Sequence, residues 1–161
     1  MRSSQAASAV LAAISMTLLV SACASGGEGG AKAGATCTGS GPSAEVVVEL
    51  GDHRVLDRCV NFKGASISGE SALHRSGIEF ATQHFSFGDG VCQIDNQPKS
   101  YSTCFPSGQP YWALFFWSGK GKWKAPTTGI SGVALKSGEA LGWRYDPSSG
   151  TALPPPLPPK S

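Results

Sequence analysis

Five cysteines, Cys23, Cys37, Cys59, Cys92 and Cys104, are the residues best placed to do chemistry in this 161-residue chain. A thiol can carry a lipid, close a disulfide, hold zinc or attack a substrate, and spacing and compartment decide among these. Cys23 follows an apolar run and is treated separately below. The other four are an even remainder, which in an exported chain reads as two disulfides. Of the three pairings, Cys37–Cys59 with Cys92–Cys104 is expected, because short loops close at lower entropic cost. A zinc site is the rival. The intervals of 21, 32 and 11 intervening residues do not fit common zinc ribbons, and the chain has no Cys-x-x-Cys. A nucleophilic thiol would be trapped in an oxidising compartment.

Other chemistry is sparse. His53, His74 and His84 have no metal-pair spacing, and His-Glu-x-x-His is absent. No Gly-x-Ser-x-Gly elbow, P-loop or dinucleotide fingerprint occurs. Asp89 and Asp95 could pair as carboxylates, but each has a turn-like context that explains it. The expectation is therefore a protein with no catalytic residues, no metal and no cofactor. A formal net charge of +2 gives no support to nucleic-acid binding, which needs a strongly basic domain.

The aromatic residues carry more information. Ten of the fourteen lie between Tyr101 and Tyr145, including all four tryptophans. In an extended Tyr111–Trp117 run, Tyr111, Ala113, Phe115 and Trp117 share one face, while Trp112, Leu114 and Phe116 share the other. Either both rows are core, or one is partly exposed and marks a ligand or partner surface. Tyr111, Trp112, Trp117, Trp123, Trp143 and Tyr145 are the candidate ligand-binding residues, with Lys122 or Arg144 as polar anchors. Lys120, Lys122 and Lys124 alternate with Gly121 and Trp123, as at a solvated sheet edge.

The amino end reads as an address. Arg2 opens it, Ala6 to Val20 is small and apolar, and Val20-Ser21-Ala22-Cys23 closes it. The closing tetrapeptide resembles the bacterial lipobox. That resemblance implies diacylation of Cys23 and cleavage before it, leaving a lipoprotein of 139 residues on the extracytoplasmic face of a cell membrane. Two or more acyl chains, palmitate among them, anchor stably where one is marginal. A transmembrane anchor or an ordinary cleaved signal is the alternative; the run is short for a span and lacks a basic stop.

The elements that must position these residues follow from pattern. Residues 1–22 are the signal peptide and 23–44 a Gly-rich tether with seven glycines in Ala24 to Ala44. Residues 45–146 form one domain, and 147–161 a disordered tail holding six of the eleven prolines, with polyproline II character at Leu153–Pro159. Strands are expected at Glu45–Leu50, Arg58–Lys63, Ile78–His84, Tyr111–Trp117 and Leu141–Tyr145. Ser68 should cap a short helix over Gly69–Ser76 that Gly77 stops. Asp89-Gly90 reads as a type I′ hairpin turn, and Lys136–Glu139 as a second hairpin. The order gives an α+β domain with a mostly antiparallel sheet.

Several of these residues together resemble the transcobalamin-like C-terminal domain, whose bacterial relatives are often called domains of unknown function. They are Gly90-Val91-Cys92-Gln93-Ile94-Asp95-Asn96-Gln97-Pro98, Cys104, Tyr111-Trp112, Gly121-Lys122-Trp123, Ser137-Gly138 and Trp143-Arg144-Tyr145. The resemblance covers about Val60 to Asp146. It implies a β-grasp-like sheet with one packed helix and a Cys92–Cys104 bridge. In transcobalamin and intrinsic factor this domain closes over a corrin held by a helical toroid. The expected function is thus a lipid-anchored, non-catalytic binding module for a corrin-like or other planar small molecule, or for a protein partner. The alternative is an envelope assembly lipoprotein that works through its Pro-rich tail and sheet edges.

Overall fold

The computed structural model describes residue 37, residues 40–146 and residues 151–158. Cys23 and the apolar run before it lie outside the described residues. Among those described, no helix is long and apolar enough to cross a membrane.

Strands β1 (Ser43–Glu49) and β2 (Val55–Asn61) form an antiparallel hairpin. A two-residue strand β3 (Ile67–Ser68) leads into helix α1 (Gly69–Arg75). A second hairpin pairs β4 (Phe80–Phe85) with β5 (Gly88–Ile94). Then come β6 (Tyr111–Trp117), a 3₁₀ turn (Ile130–Gly132), β7 (Ala134–Leu135) and β8 (Ala140–Asp146). The main sheet has the order β2-β1-β8-β6, while β3-β7 and β4-β5 are separate two-stranded pairs.

The α+β composition is as expected, with eight strands and one helix among the described residues. Most strand pairings are antiparallel, as expected, but the main sheet is mixed, because β8 runs parallel to β1 and antiparallel to β6. The physical reason is burial on both sides. Val46, Val47 and Val48 in β1 and Ala140 to Trp143 in β8 are all buried, as suits a central pair covered on both faces. The same demand breaks the hairpin expected across Lys136–Glu139. The turn is there, closed by Glu139 N–H donating to Lys136 O at 3.1 Å, but β7 leaves for β3 and β8 enters the main sheet.

The helix forms as its sequence directs. Ser68 is the N-cap, its Oγ accepting from Ser71 N–H at 3.2 Å, and Gly77 follows the end with φ +72°. Gly69, Ala72 and Leu73 face inward. They meet Val46, Val48, Trp112, Leu141 and Trp143 from the sheet in one core. Gly69 allows the close approach, since a β-carbon there would lie 2.8 Å from Ile130 O and 2.9 Å from Leu141 Cδ1.

Both expected disulfides are present. Cys37–Cys59 spans 5.2 Å between α-carbons and Cys92–Cys104 spans 4.1 Å. The first fastens Cys37, ahead of β1, to β2.

Two turns differ from expectation. The hairpin between β4 and β5 turns at Ser86-Phe87, with Gly88 (φ +108°) entering β5, so Asp89-Gly90 lies inside the strand. Asp89 is held there by its N–H donating to Ser131 Oγ at 2.9 Å. Paired positive φ values occur instead at Asp95 (48°) and Asn96 (59°), which join Ile94 to Gln97 through two reciprocal backbone hydrogen bonds.

The carboxyl segment is the largest departure. In place of a free tail, residues 151–158 lie on the sheet face opposite α1. Leu153 N–H donates to Asp146 Oδ2 at 3.1 Å, Arg144 Nη1 donates to Pro154 O at 3.3 Å, and Trp123 Nε1 donates to Pro156 O at 3.3 Å. The single helix covers one face, and the exposed apolar row left on the other is what the prolines cover.

Candidate functional site

Strand β6 sits at one edge of the main sheet and presents its first residue, Tyr111, toward the β4–β5 hairpin. That hairpin is fixed by backbone. Gly129 N–H donates to Phe87 O at 2.8 Å, so the hairpin tip is tied to the segment before the 3₁₀ turn. Cys104, bonded to Cys92 in β5, brings the following residue back over the hairpin. The result is an aromatic ledge. Phe85 and Phe87 stack at 5.1 Å with an interplanar angle of 5°. Phe105 lies 5.2 Å from Phe85, 5.9 Å from Phe87 and 5.9 Å from Tyr111. Gly90 makes the arrangement possible, because a β-carbon there would be 2.7 Å from Phe105 Cε2.

Phe87 is 45% exposed and Phe105 38%. Two neighbouring large aromatics held half in water are costly unless something covers them, at roughly 25 cal/mol per Å² of apolar surface. Beside them a cavity of about 610 Å³ is walled by Phe87, Phe105, Tyr111, Phe115, Pro126 and Thr128, among others. Thr151 and Ala152 at the start of the docked segment close one side. Few polar groups stand near. Asp89 lies at the wall; His84 Nδ1, 2.8 Å away, and Ser131 hold its carboxyl below the usual carboxylate range.

The six expected ligand residues divide. Tyr111, Trp112 and Trp143 all line the ledge cavity. Trp112 and Trp143 are nevertheless core residues, 2% and 0% exposed, packed with the helix, so their rings are not a stacking surface. Trp112 Nε1 donates to Gln97 O at 2.7 Å, whereas Trp143 Nε1 is buried with no hydrogen-bond partner among the described residues. Tyr145 packs against Trp112 on the helix side, ring centroids 5.1 Å apart and tilted by 52°, and burial pushes its phenol up. Trp117, at the far end of β6, donates its indole N–H to Gly121 O at 3.2 Å. Trp123 lies under the docked prolines. Of the polar anchors, Arg144 is engaged with Pro154 and with Glu49, 3.5 Å away, and Lys122 is exposed.

Phe85, Phe87 and Phe105 are the ledge residues that reading by strand pattern missed. The Cys92–Cys104 pairing was the available signal, since it forces the residue after Cys104 onto the strand that carries Cys92.

The histidines and acidic residues do not converge on a reaction centre. His53 Nδ1 is 3.1 Å from Glu49 Oε1, His74 packs edge-on to Phe80, and His84 pairs with Asp89. Asp95 is 3.6 Å from Arg54 Nη2, so the two aspartates noted in the sequence have different partners. Among the described residues no three His, Cys, Asp or Glu side chains gather as a metal-holding group. One carboxylate is strongly perturbed. Glu45 in β1 is 8% exposed, its Oε2 has no hydrogen-bond partner among the described residues, and burial with the nearby Asp57 charge pushes its pKa up to about 7.

No family model matches the chain, and no curated protein does. One solved structure similar to it is that of a "putative metal binding protein" from Ruminococcus gnavus, at 16% identity and a TM-score of 0.49, covering 66% of this chain and 98% of that one.

Proposed function

We propose that this protein is a lipid-anchored, extracytoplasmic, non-catalytic binding module that takes a planar or partly apolar small molecule on its aromatic ledge. The observation that carries the reading is the half-exposed Phe85–Phe87–Phe105–Tyr111 cluster standing beside a largely apolar cavity. Aromatic pockets with few polar groups bind flat ligands by stacking and hydrophobic contact. The lipobox-like sequence ending at Cys23 and the two disulfides, which favour an oxidising compartment, support a ledge that faces outside the cytoplasm.

A β-grasp-like fold, as in the transcobalamin-like C-terminal domain, is consistent with the order β2-β1-β8-β6, the parallel β1–β8 pair and the packed helix. A corrin is therefore one planar ligand worth screening.

The test uses the full chain in lipid nanodiscs. A panel of corrins, porphyrins and flat aromatic compounds is titrated while tryptophan emission is followed. Binding by a panel member that weakens at least tenfold in Phe105→Ala is the expected result. Binding that ignores both Phe87→Ala and Phe105→Ala would place the ligand elsewhere. Separately, an alkyne-tagged fatty acid should label the chain and fail to label Cys23→Ala.

A further inference from the structure

The second face of the main sheet has a chemistry of its own. Ala152, Pro155 and Pro158 are the residues of the docked segment that are at least partly buried, while Leu153 and Leu157 are 57% and 55% exposed. Three-residue spacing is the period of a polyproline II helix, which shows one edge in three to the surface beneath it. The surface fits that edge. Gly142 has no side chain, and a β-carbon there would lie 2.7 Å from Pro155 Cγ and 2.9 Å from Trp123 Cη2. Trp123 stands beside this channel and donates to Pro156 O, and Arg144 donates to Pro154 O. An aromatic wall, a shallow apolar floor and side-chain donors for the carbonyls of a proline run are the elements by which grooves read polyproline II segments. Farther along, Leu157 and Pro158 wall a groove of about 960 Å³ with Glu45, Trp117 and Lys120.

We propose that this face is a polyproline-binding groove, latched in the resting protein by the chain's own tail and open to a proline-rich segment of another protein when the tail leaves. The proposal rests on this groove and not on the ledge ligand.

The identity of the occupant follows from mass action. The tail is joined to β8 through only residues 147–150, so its effective concentration at the groove is on the order of millimolar. A second copy of the same tail, with the same affinity and far lower concentration, loses that competition. A partner with a better-fitting or repeated proline run wins it. If the intrinsic dissociation constant is tenfold below the effective concentration, the latch is closed about nine-tenths of the time and weakens an incoming segment about tenfold.

The experiment uses the full chain and, as probe, a fluorescein-labelled synthetic peptide of residues 151–159, read by fluorescence anisotropy. Three chains are compared: wild type, a tail variant with Pro154→Gly, Pro155→Gly and Pro156→Gly, and that variant with Trp123→Ala added. The tail variant should bind the peptide, wild type at least tenfold more weakly, and the Trp123→Ala chain at least tenfold more weakly than the tail variant. The indole N–H resonance of Trp123 gives a second readout in the folded chain. It should move when the tail prolines are replaced and return on adding peptide. Equal binding to wild type and tail variant, no binding to the tail variant, or an unmoved resonance each overturns the proposal. So does concentration-dependent dimerisation of wild type through exchanged tails, since the second copy would then be the occupant.

Discussion

Phe105 rests against Gly90, close enough that a β-carbon on the glycine would stand 2.7 Å from its Cε2. Gly90 is in β5 and faces Gln83 of β4, so its neighbours on both sides are fixed by the ladder. Gly90→Ala must therefore move the ring and not the strand. Overpacking of this kind costs roughly 1–3 kcal/mol. Urea unfolding should show that loss in Gly90→Ala. Phe105→Ala, which removes a half-exposed ring, should cost less stability while removing the ledge. A Gly90→Ala chain as stable as wild type would mean that Phe105 is not seated as described.

The bridge that delivers Phe105 can be removed without touching the ring. Cys92→Ser with Cys104→Ser frees a loop of 11 intervening residues. Loop-closure entropy alone sets the expected loss at about 2–4 kcal/mol. Ligand binding at the ledge should weaken further than stability does, because Phe105 loses its position. Binding that survives in the folded double variant would separate the bridge from the site.

At the helix, the cap carries a measurable share. Helix α1 has only seven residues and would not persist alone in water. Ser68 Oγ satisfies the Ser71 N–H. Ser68→Ala should lower the unfolding free energy by about 1 kcal/mol. A chemical-denaturation series that includes Ser68→Asp, which should restore the cap, checks this. No difference between the alanine and aspartate chains would show that tertiary packing alone sets the helix start.

What could be read in advance, and what could not, divides along local and non-local physics. The Ser68 cap, the Gly77 stop, the Val46–Val48 strand and the bounds of Tyr111–Trp117 are written within a few residues of where they act. The two disulfides follow from loop length. By contrast, the parallel β1–β8 pairing joins residues almost a hundred positions apart, and nothing near Lys136–Glu139 says that its flanking strands part. The aromatic run was legible as two rows, but not which side Trp112 and Trp143 would take. A proline-rich end without apolar periodicity looks like a tail in any sequence. Its place on the sheet depends on Gly142, Arg144 and Trp123, none of which is adjacent to it. The ledge was missed for the same reason, since Phe87 and Phe105 meet only after the hairpin and the bridge have formed.

Glu45 gives stability an unusual pH dependence. Its carboxyl has an ordinary value of 4.5 and in the folded protein is pushed up to about 7, by burial first and the Asp57 charge second. Above about pH 4.5 the unfolded chain gives up this proton while the folded chain keeps it, so the folded state binds more protons. The slope of stability with pH is then negative, up to about 1.4 kcal/mol per pH unit. The cost is absent below about pH 4.5, grows between about 4.5 and 7, and is fully present above 7. That direction is opposite to the usual salt-bridged carboxylate, which stabilises as pH rises. Glu45→Gln removes the ionisation and keeps the shape. The variant should match wild type near pH 4 and be more stable than it by roughly 1–3 kcal/mol at pH 8. Paired unfolding curves at several pH values measure the difference, and a gap that does not change with pH would show that the Glu45 carboxyl is not the group responsible.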